Sequence, residues 1–82
     1  MSSANDTDAL VRFLVTSLVD DPDGVNIAKR TSGESVTYEI SLNPDDVGKV
    51  IGRQGRIIKA IRTLARACAG ATGSHVDVEV LG

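Results

Sequence analysis

The chain reads as an α+β domain: a mixed three-stranded sheet with three helices packed on one face. Three observations carry this. Residues 35–42 and 75–81 alternate apolar and polar side chains as half-buried strands do, and residues 25–30 do so weakly. Residues 7–20 and 55–69 repeat apolar side chains at helical spacing. A shorter helical stretch, 45–51, is cut from the second of these by two closely spaced glycines. Eighty-two residues make one domain, assigned here to 7–82, with 1–6 as a flexible N-terminus.

The first helix carries Leu10, Phe13, Leu14, Ser17 and Leu18 at helical spacing, with Val11 and Val15 beside them. Asp6 or Thr7 suits its N-cap, and Asp8 suits its first turn. Asp20-Asp21-Pro22-Asp23-Gly24 ends it with turn residues and a proline. Val25 and Ile27 share a face of the first strand, and Thr31-Ser32-Gly33-Glu34 turns it into a hairpin. In the second strand Val36, Tyr38, Ile40 and Leu42 face the core, opposite Thr37, Glu39 and Ser41. Asn43-Pro44-Asp45-Asp46 closes that strand and opens the short helix, where either aspartate fits as a cap. The long helix has an apolar stripe of Ile57, Ile58, Ile61, Leu64, Ala65 and Cys68, with Arg56, Lys59, Arg62 and Arg66 toward the other side. After a loop from Gly70 to Gly73, the last strand turns Val76, Val78 and Val80 inward and Asp77 and Glu79 outward.

Composition excludes several function classes. One tyrosine, one phenylalanine and no tryptophan argue against recognition by aromatic stacking. Cys68 is the only cysteine and His75 the only histidine, too few for a disulfide or a zinc site, and no metal or cofactor is expected. Cys68 lies on an apolar stripe without a base nearby in sequence and reads as a small hydrophobe. His75 reads as a surface or hydrogen-bonded side chain at a strand start. No apolar run is long enough to span a membrane, the polar start is unlike a signal peptide, and the expected location is the cytoplasm.

The formal net charge of −2 hides an uneven distribution. Lys49, Arg53, Arg56, Lys59, Arg62 and Arg66 fall in a window from Val47 to Val76 that holds no acid. The rest of the chain keeps three cations against eleven acids, a net of −8. A polyanion responds to that local field rather than to the sum.

The window holds the run Val50-Ile51-Gly52-Arg53-Gln54-Gly55-Arg56-Ile57-Ile58-Lys59. Glycine has no Cβ, so Gly52 and Gly55 allow close approach of a sugar-phosphate backbone. The helix that follows aims N–H groups and its positive dipole end at the same place. Backbone N–H groups of Arg53 to Arg56 can reach phosphate oxygens, and the Arg53 fork suits phosphate geometry. Lys49, Arg56 and Lys59 are further candidate contacts, and Gln54 faces solvent or phosphate. The loop lacks the ending and spacing of a nucleotide-binding P-loop, so an enzyme acting on nucleotide phosphate is disfavoured. Asp45-Asp46 reads as helix capping rather than a carboxylate pair. Arg62 and Arg66 read as a solvated face, and Ile57, Ile61 and Leu64 as core.

A glycine–polar–polar–glycine loop between two helices resembles the GXXG loop of KH domains, which clamp about four nucleotides. The order α–β–β–α–loop–α–β resembles the type II KH arrangement, from about Thr7 to Leu81, and most specifically from Asp46 to Ile61. The small size resembles the stand-alone bacterial KH proteins of the KhpA (YlqC) type. The resemblance implies a groove floored by Val50, Ile51 and Ile58; for Ile51 and Ile58 a core role stands equally. It also implies a homodimer, or pairing with a larger KH-containing RNA-binding protein. The expected function is non-catalytic binding of single-stranded RNA, as a post-transcriptional regulator or RNA chaperone. The alternative is a protein-interaction module with little RNA binding of its own.

Overall fold

Strand β2 (Ser35–Ser41) is the centre of the sheet, because its apolar face is the most regular in the chain and needs neighbours on both edges. In the computed structural model, which describes residues 3–81, β1 (Asn26–Ser32) pairs antiparallel with β2, and β3 (Val76–Leu81) pairs parallel with its other edge. The sheet order is β1-β2-β3. Pairing runs from Asn26 opposite Ser41 to Ser32 opposite Ser35, closed by a tight turn at Gly33-Glu34. On the parallel side Val36 lies opposite Val76 and Ile40 opposite Val80, which aligns the apolar side chains of both strands on one face.

Three helices cover that face: α1 (Ser3–Leu18), α2 (Pro44–Ile51) and α3 (Arg56–Ala69). The core is aliphatic except for Tyr38, and draws Val11 and Val15 from α1, Tyr38 and Ile40 from β2, Val50 from α2, Ile61 and Ala65 from α3, and Val76 and Val78 from β3. The fold class and element order are those read from the sequence.

Several local expectations change. Helix α1 begins at Ser3, so Asp6 and Thr7 lie inside it, and Thr7 is buried rather than capping; Met1 and Ser2 lie outside the described residues. The buried stripe of α1 runs through Val11 and Val15, and Phe13 points outward with 66% of its surface exposed. Two apolar stripes lie side by side on this helix, and the valine stripe is the one that enters the core. Leu64, expected in the core, is 47% exposed because the face of α3 turned to the sheet centres on Ile61 and Ala65. The segment after α3 is a 3-10 turn, Gly70–His75, rather than an open loop. A Cβ on Gly73 would collide with the Arg66 carbonyl, so only glycine allows this turn to fold back onto α3.

Asn43, not an aspartate, caps α2: its side chain accepts the Asp45 N–H at 3.0 Å, with Pro44 in the first turn. Asp46 has a different task. Its carboxylate is buried and accepts the backbone N–H groups of Asp20 and Asp21, each at 3.1 Å, where the chain leaves α1. This ties the end of α1 to the start of α2. The three interactions that favour the charged form hold its pKa below the ordinary 3.8: the Asp20 amide first, then the Asp21 amide and Lys49.

Candidate nucleic-acid interface

Helix α2 ends because Gly52 adopts φ 76° and ψ 175°, a conformation open essentially to glycine. Its N–H still donates to the Gly48 carbonyl at 2.8 Å, closing the last turn. A Cβ at Gly52 would also lie 2.5 Å from Ile57 Cγ1, so the chain must be bare here for α3 to pack beneath the loop. Gly55 is left-handed at φ 73°, but a Cβ there would meet nothing closer than 3.8 Å. Between them Gln54 is also left-handed, at φ 58°, the one non-glycine with positive φ among the described residues. Three positive-φ residues in four make a tight arch between α2 and α3.

The arch satisfies only part of its own backbone. Gly55 N–H donates to the Gly52 carbonyl at 3.2 Å, and Arg56 N–H donates to the Arg53 carbonyl. The N–H groups of Arg53 and Gln54 have no such partner among the described residues. The expectation that all four N–H groups from Arg53 to Arg56 are available therefore narrows to two. They sit at the N-terminal end of α3, where its dipole is positive.

The basic strip divides in two. Arg53 and Lys59 are exposed and make no ion pair among the described residues, and Arg56 touches only the Gln54 side-chain oxygen, at 3.4 Å. Lys49 instead bonds to Asp20 and to Asp46, the latter at 3.2 Å, which raises its pKa above the ordinary 10.5. Its ammonium is held at the α1–α2 corner rather than at the arch. Arg62, half-buried, and Arg66, exposed, are both engaged by β3 rather than left free. Arg62 Nε donates to Asp77 Oδ1 at 2.6 Å and its terminal nitrogen to the Val78 carbonyl at 3.1 Å, while Arg66 Nε donates to the Val76 carbonyl at 2.8 Å. Both reach across to the open edge of β3. Sequence reasoning could not see this, because helical periodicity says which way a side chain leaves its helix and not what lies beside it.

A groove of about 360 Å³ runs along the same edge. Ile51 and Ile58 line one side, Val78, Glu79, Val80 and Leu81 the other, and Arg62 lies among them. Two of the three expected floor residues are therefore brought together. Val50 is not one of them, since it is wholly buried in the core. The strand side of the groove, from Val78 to Leu81, was missed; its only signal was that α3 and the last strand are consecutive apolar elements.

The remaining candidates are structural. Tyr38 is buried under α1 and its hydroxyl donates to Asp8, so it does not reach the groove; burial, then the Asp8 carboxylate, push its pKa well up. Cys68 is half-buried, and His75 Nε2 lies 3.6 Å from Glu34. Among the described residues no group of histidine, cysteine and acidic side chains could hold a metal, and no helix is long and apolar enough to cross a membrane.

Comparison with known proteins gives the chain a family. Residues 8–80 match the family described as KhpA/KhpB, KH domain. The chain is similar to the RNA-binding protein KhpA of Oceanobacillus iheyensis, 51% identical over 89% of this chain and 97% of the relative. It is 44% identical to that of Clostridium perfringens, over 88% and 96%, and 46% identical to that of Borreliella burgdorferi, over 88% of each. No solved structure matches the chain.

Proposed function

Because the chain belongs to the KhpA/KhpB KH-domain family, we propose that it binds single-stranded RNA without catalysis, clamping the backbone at Gly52–Gly55. One observation carries the reading: two unpartnered loop N–H groups, three cations without an ion pair among the described residues and an apolar groove converge at the N-terminal end of α3. Phosphates lie against the N–H groups of Arg53 and Gln54, the Arg53 fork and the Arg56 and Lys59 charges hold them, and a base lies against Ile51 and Ile58. Such contacts position the strand without choosing a sequence. One module of this kind touches few nucleotides, so affinity alone is modest, and a second module gains effective concentration without new contacts. Assembly as a homodimer, or with a larger KH-containing protein of the family, follows from that arithmetic. The role in the cytoplasm is post-transcriptional regulation or RNA chaperoning.

Fluorescence anisotropy with a mixed-sequence single-stranded RNA tests this. Binding should weaken with salt, by about 0.7 in log–log slope for each phosphate neutralised. It should vanish in the Arg53→Asp/Gln54→Asp double variant, whose thermal melt should match the wild type because both side chains are exposed. A second reading, a protein-interaction module, draws support from Phe13, the chain's one phenylalanine, standing 66% exposed on α1. It would prevail if the wild type bound no RNA at any salt yet captured a protein partner that the double variant also captured.

A further inference from the structure

Resting on the single-stranded RNA reading, we propose that Gly48 of α2 is a further contact of that site, where a ribose next to the arch packs against bare helix backbone. The starting point is a glycine that the fold does not need. Gly48 lies inside α2, is exposed, and is not among the glycines with positive φ. A Cβ built on it meets nothing within 4 Å. The glycines of the arch have structural causes: a Cβ on Gly52 would collide with Ile57, and Gly52 and Gly55 both hold positive φ. Gly48 has neither cause. Glycine is nonetheless the poorest helix former after proline, and it destabilises a helix interior relative to alanine. Nothing within the chain compensates for that loss.

The position of Gly48 says what uses the open space. Helical spacing sets Gly48 and Gly52 on one face, a single turn of about 5.4 Å apart, and the Gly48 carbonyl accepts the Gly52 N–H at 2.8 Å. Val50 leaves the opposite side of the helix and is wholly buried, so Gly48 faces outward. On one flank Ile51 lines the apolar groove. On the other, Lys49 is drawn away to Asp20 and Asp46. Between them α2 presents backbone alone, continuous with the arch. That backbone has no free donor, because the Gly48 N–H belongs to the helical ladder. A phosphate would find nothing to bind there, and a base has the groove beside it. The carbon face of a ribose needs only contact distance, and a methyl group on Gly48 would hold it off. Asp45 stands exposed at the start of the same helix, and its charge turns a phosphate away, which limits the contact to the sugar nearest the arch.

The fold and the site therefore make opposite demands on this position, and one substitution separates them. Gly48→Ala should raise the melting temperature by about 4–8 °C, because alanine favours the helix and meets no neighbour. The same variant should bind a mixed-sequence single-stranded RNA about fivefold or more weakly in fluorescence anisotropy, since the methyl group displaces the sugar. Its slope of affinity against salt should stay that of the wild type, because no phosphate contact is removed. Gly48→Leu, larger at the same exposed place, should bind more weakly still and remain folded. Wild-type RNA affinity in Gly48→Ala would overturn the assignment while leaving RNA binding at the arch standing. If that variant also lost self-association in sedimentation velocity, the face would belong to a second copy of the chain instead. A lowered melting temperature would overturn the assignment too, since the fold itself would then require the glycine. A wild type that binds no RNA even at low salt would overturn the RNA reading, and this inference with it.

Discussion

Lys49 and Arg53 stand four residues apart at the end of α2, carry the same charge and belong to the same acid-free stretch of sequence, yet they have opposite fates. Lys49 is enclosed by Asp20 and Asp46, carboxylates from distant and neighbouring parts of the chain, and acts as part of a corner that joins α1 to α2. Arg53 projects from the arch with no counter-ion among the described residues. The comparison teaches that availability, not charge, defines a polyanion site. Six cations in sequence become three at the arch, because Lys49, Arg62 and Arg66 hold the fold together.

The most severe way to break the comparison is on the arch side, at Gly52. Gly52→Val should lose about 2–4 kcal/mol in urea unfolding, combining a disallowed backbone with a collision against Ile57, and RNA binding should go with it. Gly55→Ala, where only the backbone objects, should cost about 1 kcal/mol.

On the corner side, acid is the next largest lever. Asp46 is held below its ordinary pKa of 3.8 in the fold, so its stabilisation is complete above that value and is lost as pH falls through the lowered one. The urea midpoint should therefore drop on acidification below about pH 4, and Asp46→Asn should begin lower at neutral pH and lose less on acidification. Lys49 acts in the opposite direction: its raised pKa keeps its contribution whole below 10.5 and releases it as pH rises through the raised value. Tyr38, pushed up by burial, adds to the alkaline loss once the unfolded chain can ionise above 10. At neutral pH the corner is intact from both sides.

The smallest effect sharpens the comparison most. Lys59→Met should reduce the salt slope of RNA binding by about 0.7 and leave the melting temperature unchanged. Lys49→Met should do the reverse, lowering the melting temperature and leaving the slope alone. Equal losses of slope from the two would mean that Lys49 leaves its carboxylates for phosphate when RNA binds.

Local sequence carried much of the fold. Alternation in Val36-Thr37-Tyr38-Glu39-Ile40 and the break at Gly52 placed the central strand and the arch, since both signals depend only on a residue's immediate neighbours. What failed depended on tertiary neighbours. Helical spacing alone could not choose between the Phe13 and Val11 stripes, nor tell that Val50 points into the core while Ile51 beside it lines the groove. Asp46 looked like a cap because it opens a helix, but its partners, Asp20 and Asp21, are more than twenty residues away. The site was legible as a motif and not as a charge list.

The reach of Arg62 and Arg66 over β3 has a consequence beyond the groove. A strand at the border of a sheet is a template onto which another chain can add, and a long bare one invites fibril growth. Here the carbonyls of Val76 and Val78 are already occupied by guanidinium groups, so an incoming strand would have to displace two charged donors before it could pair. Copies of the chain are thereby kept from zipping sheet to sheet along this stretch of the border.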